Sequence, residues 1–188
     1  MSGRRKSRPT APAAGSPAAP LLHFLRHNRA TSTTEFALLA TPFLALTLGI
    51  IQTALVFFAG QTLESAAATA GRLIMTGQAQ TQGWTAAQFK QQVCNQIQAM
   101  LNCSGGLYID VETYGSFASV NLSLPVTNGT LNTADMAYNP GTPGEVVVVR
   151  VYYQYPVYFN VIGLNNLNGG LNLLAATAVF QNEPYASS

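Results

Sequence analysis

The stretch Arg29–Gln52, RATSTTEFALLATPFLALTLGIIQ, decides how the rest of the chain is read. It holds one carboxylate, Glu35, at the edge of an apolar run, and the next charge is Glu64. From Phe36 to Ala59 there are 24 residues without a charge, and Gln52 is the only strongly polar side chain among them. At a rise of ~1.5 Å per residue such a helix covers ~36 Å, enough to cross a hydrocarbon core of ~30 Å. A buried core helix, the competing assignment, corresponds to only ~10–14 apolar residues. The run therefore reads as a membrane span.

The charges around it agree. Six of the nine Lys and Arg residues (Arg4, Arg5, Lys6, Arg8, Arg26, Arg29) lie in the first thirty positions, with no acid among them. Beside an apolar span this asymmetry is a positive-inside signal, with residues 1–34 cytoplasmic and everything after Gly60 outside. A basic arm can also bind nucleic acid, but the adjacent span favours topology, and no nucleic-acid partner is expected. Beyond residue 30 there are three bases (Arg72, Lys90, Arg150) against seven acids, a net of −4. Only 9 % of the chain is charged, against about a quarter in ordinary soluble domains. Gly, Asn, Thr, Gln and Ser supply the polarity instead, as in exported or assembly-forming proteins.

The helix is expected to outlast the membrane. Residues 59–77, AGQTLESAAATAGRLIMTG, are Ala-rich, and Leu63, Ala66, Ala67, Ala70, Leu73 and Ile74 follow helical spacing. Glu64 and Arg72 fall on the opposite side. One helix over 34–76 would be ~60 Å long, lipid-facing in its first half and offering a narrow stripe to a soluble domain in its second. Pro42 removes a helical hydrogen bond, and Gly49 loosens the same stretch, so a kink or local melting is expected there.

Glu35 has two readings. Ser32-Thr33-Thr34-Glu35 fits the S-x-x-E capping box, and an acid in the first turn suits the helix dipole. The second reading is a resemblance. Thr31 to Phe36, followed by the apolar helix, resembles the processing region of type IV prepilins. In more detail, Glu35-Phe36-Ala37-Leu38-Leu39, Pro42, Ala70-Gly71-Arg72 and the ending Val179-Phe180-Gln181-Asn182-Glu183-Pro184-Tyr185 resemble the TadE-like pseudopilins of the tight-adherence (Flp) pilus system. The resemblance implies cleavage by a prepilin peptidase between Ala30 and Thr31, with Glu35 and Phe36 as recognition and assembly residues. Ala30 stands where prepilins usually carry glycine. It also implies that Glu35 pairs with a neighbouring subunit's amino terminus, which matters because an unpaired carboxylate is costly near lipid. The implied partners are the peptidase, other pilins and pseudopilins of the Tad system, the inner-membrane assembly platform and the bilayer.

The exported part reads as α+β. Gly77 to Gly83 is a Gln- and Thr-rich linker. Phe89, Val93, Ile97 and Leu101 recur every four residues within 85–101, an amphipathic helix with Trp84 as a packing anchor at its entrance. Cys94 and Cys103 can close a disulfide if this segment is exported, or stay reduced if it is cytosolic. Residues 107–113 and 116–126 alternate and read as a hairpin turning at Tyr114-Gly115. Residues 127–144 read as a loop, 144–159 as the strongest strand, and 172–181 as a last one. The body is a small antiparallel sheet packed on amphipathic helices. Alternation places Tyr153 and Tyr155 on one face and Tyr152 and Tyr158 on the other, as packing residues.

Enzymatic chemistry finds little support. No histidine follows residue 30, since His23 and His27 both lie in the leader. This removes Ser-His and Cys-His systems and most zinc sites. Neither a P-loop nor a GxGxxG occurs. Asp110 and Glu112 would share one strand face as ordinary surface acids. No catalytic residue, cofactor or metal is expected. The domain plan is a basic, Pro- and Ala-rich leader (1–30), a spanning helix (31–59), its extracytoplasmic extension (60–77) and a periplasmic α+β domain (78–188). The destination is the bacterial inner membrane, or the pilus itself. The rival is a secreted or anchored extracytoplasmic binding or adhesion domain, with an A-x-A signal-cleavage pattern at Ala68-Thr69-Ala70 if it is released.

Overall fold

The computed structural model describes residues 28–160 and 163–185. Most of the leader, with His23 and His27, lies outside the described residues. The fold is α+β, and the chain divides into two units between Ala45 and Leu46.

Helix α1, Asn28–Met75, runs 48 residues. In its first unit Phe36, Leu38, Leu39, Phe43 and Leu44 are all strongly exposed. The helical assignment continues through Pro42, so the stretch does not melt. Threonine is tolerated along α1 because its hydroxyl can donate to the carbonyl one turn back. Thr41 donates to Ala37 at 2.9 Å, Thr53 to Gly49 at 2.8 Å and Thr69 to Ser65 at 2.9 Å. The capping-box reading needs correction: α1 begins at Asn28, so Ser32 is inside the helix and Glu35 lies about two turns past its start.

In the second unit one face of α1 becomes the core. Gly49, Gln52, Val56, Ala59, Leu63, Ala66, Ala67, Ala70 and Ile74 are buried, a stripe at helical spacing. Glu64 and Arg72 are exposed on the far side. The expected linker after α1 contains a short helix, α2 (Gln78–Thr81), which buries Ala79. Helix α3 (Ala86–Ile97) starts with a full capping box, Thr85 with Gln88, and buries Phe89, Val93 and Ile97. Leu101 follows on the same side. Trp84 packs against this core, as its position at the entrance predicted. Cys94 and Cys103 are joined by a disulfide across a Cα separation of 5.8 Å, tying α3 to the small helix α4 (Cys103–Gly106).

The main sheet has strands β1 (Leu107–Tyr114), β4 (Val146–Pro156) and β5 (Leu171–Gln181), antiparallel in the order β1-β4-β5. The hairpin expected between 107–113 and 116–126 does not form. β1 pairs with β4 instead, Asp110 opposite Arg150 and Leu107 opposite Tyr153. The Val run of β4 can bury both of its faces and therefore takes the centre, as continuous apolar strands do. The 116–126 segment has too few apolar side chains to compete, and it leaves Phe117, Leu122 and Leu124 exposed around a 3₁₀ turn, Phe117–Ser119. Within the expected loop, β2 (Val126–Thr127) and β3 (Thr130–Leu131) make a two-residue hairpin. Asn128 and Gly129 both have positive φ, 52° and 72°, as a type I′ turn requires.

The two faces of β4 do different work. Val147, Val149, Val151 and Tyr153 pack into the α1–α3 core. Tyr152 lies on the other face, in a smaller cluster with Leu131, Leu167 and Leu173. Tyr152, Tyr153 and Tyr155 divide as their alternation predicts, but Tyr158 does not pack: β4 ends at Pro156, the alternation stops there, and Tyr158 is exposed. Tyr153 uses its hydroxyl to cap the turn at Asn102, accepting that residue's N–H at 3.1 Å.

After β5 the chain returns to the end of α1. Asn182 is buried and donates through Nδ2 to Pro140 and Thr142 carbonyls, at 3.0 and 3.1 Å. Glu183 N–H donates to Met75 carbonyl at 2.9 Å. The Tyr185 ring lies against Gly77, where any Cβ would come within 2.3 Å of it. The ending Asn182–Tyr185 is a clasp over the helix terminus.

Candidate functional site

Two polar arrangements interrupt an otherwise apolar framework. The first is at the start of the span. Glu35 and its neighbour Phe36 are both exposed, Phe36 by 73 %. The Glu35 carboxylate makes no hydrogen bond or ion pair among the described residues. Ala30 and Thr31 fall in the first turn of α1, upstream of Glu35 by about one helical turn. Pro42 has no N–H to offer the Leu38 carbonyl, and the nearby Thr41 hydroxyl goes to Ala37 instead. A carboxylate on the rim of an apolar helix, with no partner of its own among these residues, can bind a cation brought by another molecule.

The second arrangement is inside the body, and sequence reading missed it. Asp110 and Glu112 share a face, as alternation requires, but they are not ordinary surface acids. Arg150 is buried and its Nη1 lies 2.7 Å from Asp110 and 2.8 Å from Glu112. Its Nη2 donates to the Tyr114 hydroxyl at 2.7 Å and to the Asn121 carbonyl. Tyr114 in turn donates to Glu112 at 2.6 Å, and Asp110 accepts the Ala137 N–H at 3.0 Å. The Tyr114 hydroxyl, followed by Arg150, holds the Glu112 carboxyl below the usual range. Burial opposes the charge on Arg150, but its bonds to Glu112, Tyr114 and Asp110 outweigh this and strengthen its hold on the proton. The available signal was a single arginine in a run of valines, facing two acids spaced i, i+2.

These groups border a cavity of about 260 Å³ with Asp135, Asn132 and Tyr152. Both terminal nitrogens of Arg150 are bonded within the chain, while its buried Nε has no partner among the described residues, and these contacts stitch β1 and the 115–137 segment to the central strand. The arrangement acts as a structural staple. Among the described residues there is no cluster of three or more His, Cys, Asp or Glu suited to a metal. Gln52, on the apolar part of α1, is also buried, and its Nε2 has no partner among the described residues.

Comparison with known proteins gives one result. Residues 30–72 match the model of a family described as TadE-like protein. The match covers the proposed cleavage point, Glu35, the apolar run and the first part of the core-facing helix, and it bears out the resemblance over that segment. No curated protein and no solved structure matches the chain.

Proposed function

We propose, from the TadE-like character of residues 30–72, that this chain is a membrane-anchored pseudopilin serving the assembly of a Tad-type adhesive pilus. Its role is structural and not enzymatic. A prepilin peptidase cuts between Ala30 and Thr31, and the new ammonium of a neighbouring pilin or pseudopilin pairs with Glu35. Phe36 helps present that edge, and a bend at Pro42 adapts the span to its neighbours. The N-terminus is cytoplasmic and the body periplasmic, where the Cys94–Cys103 disulfide is chemically at home. The observation that carries the reading is Glu35, exposed on the lipid rim of α1 with no partner in its own described chain.

The released-domain alternative fits less well. Cleavage after Ala70 would remove Leu63, Ala66, Ala67 and Ala70, all core residues of the body. Mass spectrometry of the protein recovered from host membranes tests processing. A chain beginning at Thr31 is expected, and one that retains the leader or begins at Gly71 would refute the assignment. Glu35→Gln is expected to leave the folding of the body intact while abolishing co-purification with other pilus subunits.

A further inference from the structure

Helix α1 and strand β5 run in the same direction. At one end Glu183 N–H meets the Met75 carbonyl, and Gly71 abuts Ala178 and Phe180. Further back, the Thr62 hydroxyl reaches the Met100 sulfur at 3.6 Å. Close by, Asn102 is bonded to Tyr153, which sits opposite Leu174 of β5. From Ala178 back to Leu171 is about 23 Å of strand, the length of about 15 helical residues. The start of β5, and the β4–β5 connection before it, therefore lie level with Val56 of α1. At this same level Leu55, Phe57 and Phe58 are exposed on the helix while Val56 and Gln52 are buried.

The connection is built for a particular environment. Its base is fixed: Val157 N–H donates to Gly170 at 2.9 Å, Leu167 N–H to Leu171 at 3.0 Å, and Asn168 N–H to Gly129 at 2.8 Å. From this base Tyr158 and Phe159 project, 79 % and 47 % exposed, and Tyr158 is the most exposed large apolar side chain among the described residues. No charged residue occurs from Val151 to Asn182, so nothing in the connection resists leaving bulk water. A tyrosine with a polar tip beside a phenylalanine, followed by Asn160 and level with the end of an apolar span, has the composition of a membrane–water boundary.

We infer that Tyr158 and Phe159 insert into the headgroup–acyl boundary of the bilayer that α1 crosses, so that the body is seated on the membrane and not held clear of it. The lipid surface is continuous with the one that already surrounds Phe57 and Phe58, which commits the occupant to lipid. The inference rests on the membrane reading of α1, and the test separates the two.

The full chain is reconstituted in dilute phosphatidylcholine–phosphatidylglycerol vesicles carrying bromine either near the glycerol end or near the methyl end of the acyl chains. The natural chain, with its single tryptophan, Trp84, gives the baseline. Tyr158→Trp is expected to add a blue-shifted emission that loses most of its intensity to shallow bromines and little to deep ones. Pro143→Trp, exposed at the opposite end of the sheet, is expected to add emission that neither lipid quenches. Phe58→Trp reports the span itself. Emission from Tyr158→Trp that survives both lipids, while Phe58→Trp is quenched, overturns the inference and leaves the anchor standing. Equal quenching at 158 and 143 also overturns it. If Phe58→Trp escapes quenching, the membrane reading itself falls, and the inference with it.

Discussion

Gly77 shows how much one backbone position can hold. Its φ of 76° is in the left-handed region, and the space a Cβ would need is filled by the Tyr185 ring. Gly77→Ala is therefore expected to expel Tyr185 and loosen the clasp. The check is faster amide exchange at Glu183, whose N–H bonds Met75, together with a lower melting temperature of the micelle-solubilised chain. Arg150 is a second such residue. Arg150→Ala leaves Asp110 buried without its cation, a change expected to destabilise by about 3–5 kcal/mol, read by denaturant unfolding. The same network sets an acid limit. The Glu112 carboxyl is held below its usual value by the Tyr114 hydroxyl and Arg150, so its contribution is complete above the unfolded pKa of about 4.3. It is lost as pH falls through the lower folded value. Glu112→Gln should flatten that part of the stability curve. Neither the positive φ of Gly77 nor the burial of Arg150 could be read from sequence, because each depends on which distant segment lies opposite.

At the scale of elements, legibility follows the range of the forces. α1 and α3 were readable because helical spacing of apolar residues is local: Leu63, Ala66, Ala67, Ala70 and Ile74, and Phe89 to Leu101 at every fourth position, are buried as their spacing predicts, while Leu73 at the edge of the stripe is half-buried. β4 and β5 were readable because they are long and apolar. Pairing was not. Thr113-Tyr114-Gly115-Ser116 resembles a hairpin turn, yet β1 joins β4 across more than thirty intervening residues, because only a Val-rich strand can cover both faces of the core. The tight β2–β3 hairpin was signalled by Asn128-Gly129, inside a segment that read as a loop. The helix start at Asn28 likewise moved Glu35 from a cap to an exposed flank. The α3–α4 corner gives an element-scale prediction. Its disulfide closes a separation of 9 residues, so converting both Cys94 and Cys103 to Ala should cost about 2–3 kcal/mol. Unfolding with and without reductant checks this: reductant should lower the stability of the natural chain and leave the double variant unchanged.

At the scale of the molecule, the division between a carboxylate-edged apolar helix and a charge-poor body was visible in the placement of nine cations and seven acids. The seating of the body along α1 was not, since it depends on the direction of β5 relative to the helix. That shared direction has a mechanical consequence. Within the second unit, a pull along α1 loads its contacts beside β5 together, in shear: Gly71 against Ala178 and Phe180, and the bond from Glu183 to Met75. Alanines 66, 67 and 70 are buried along the same stretch, with small side chains that allow close packing. A helix and sheet joined in this way carry load along the helix axis without unravelling turn by turn.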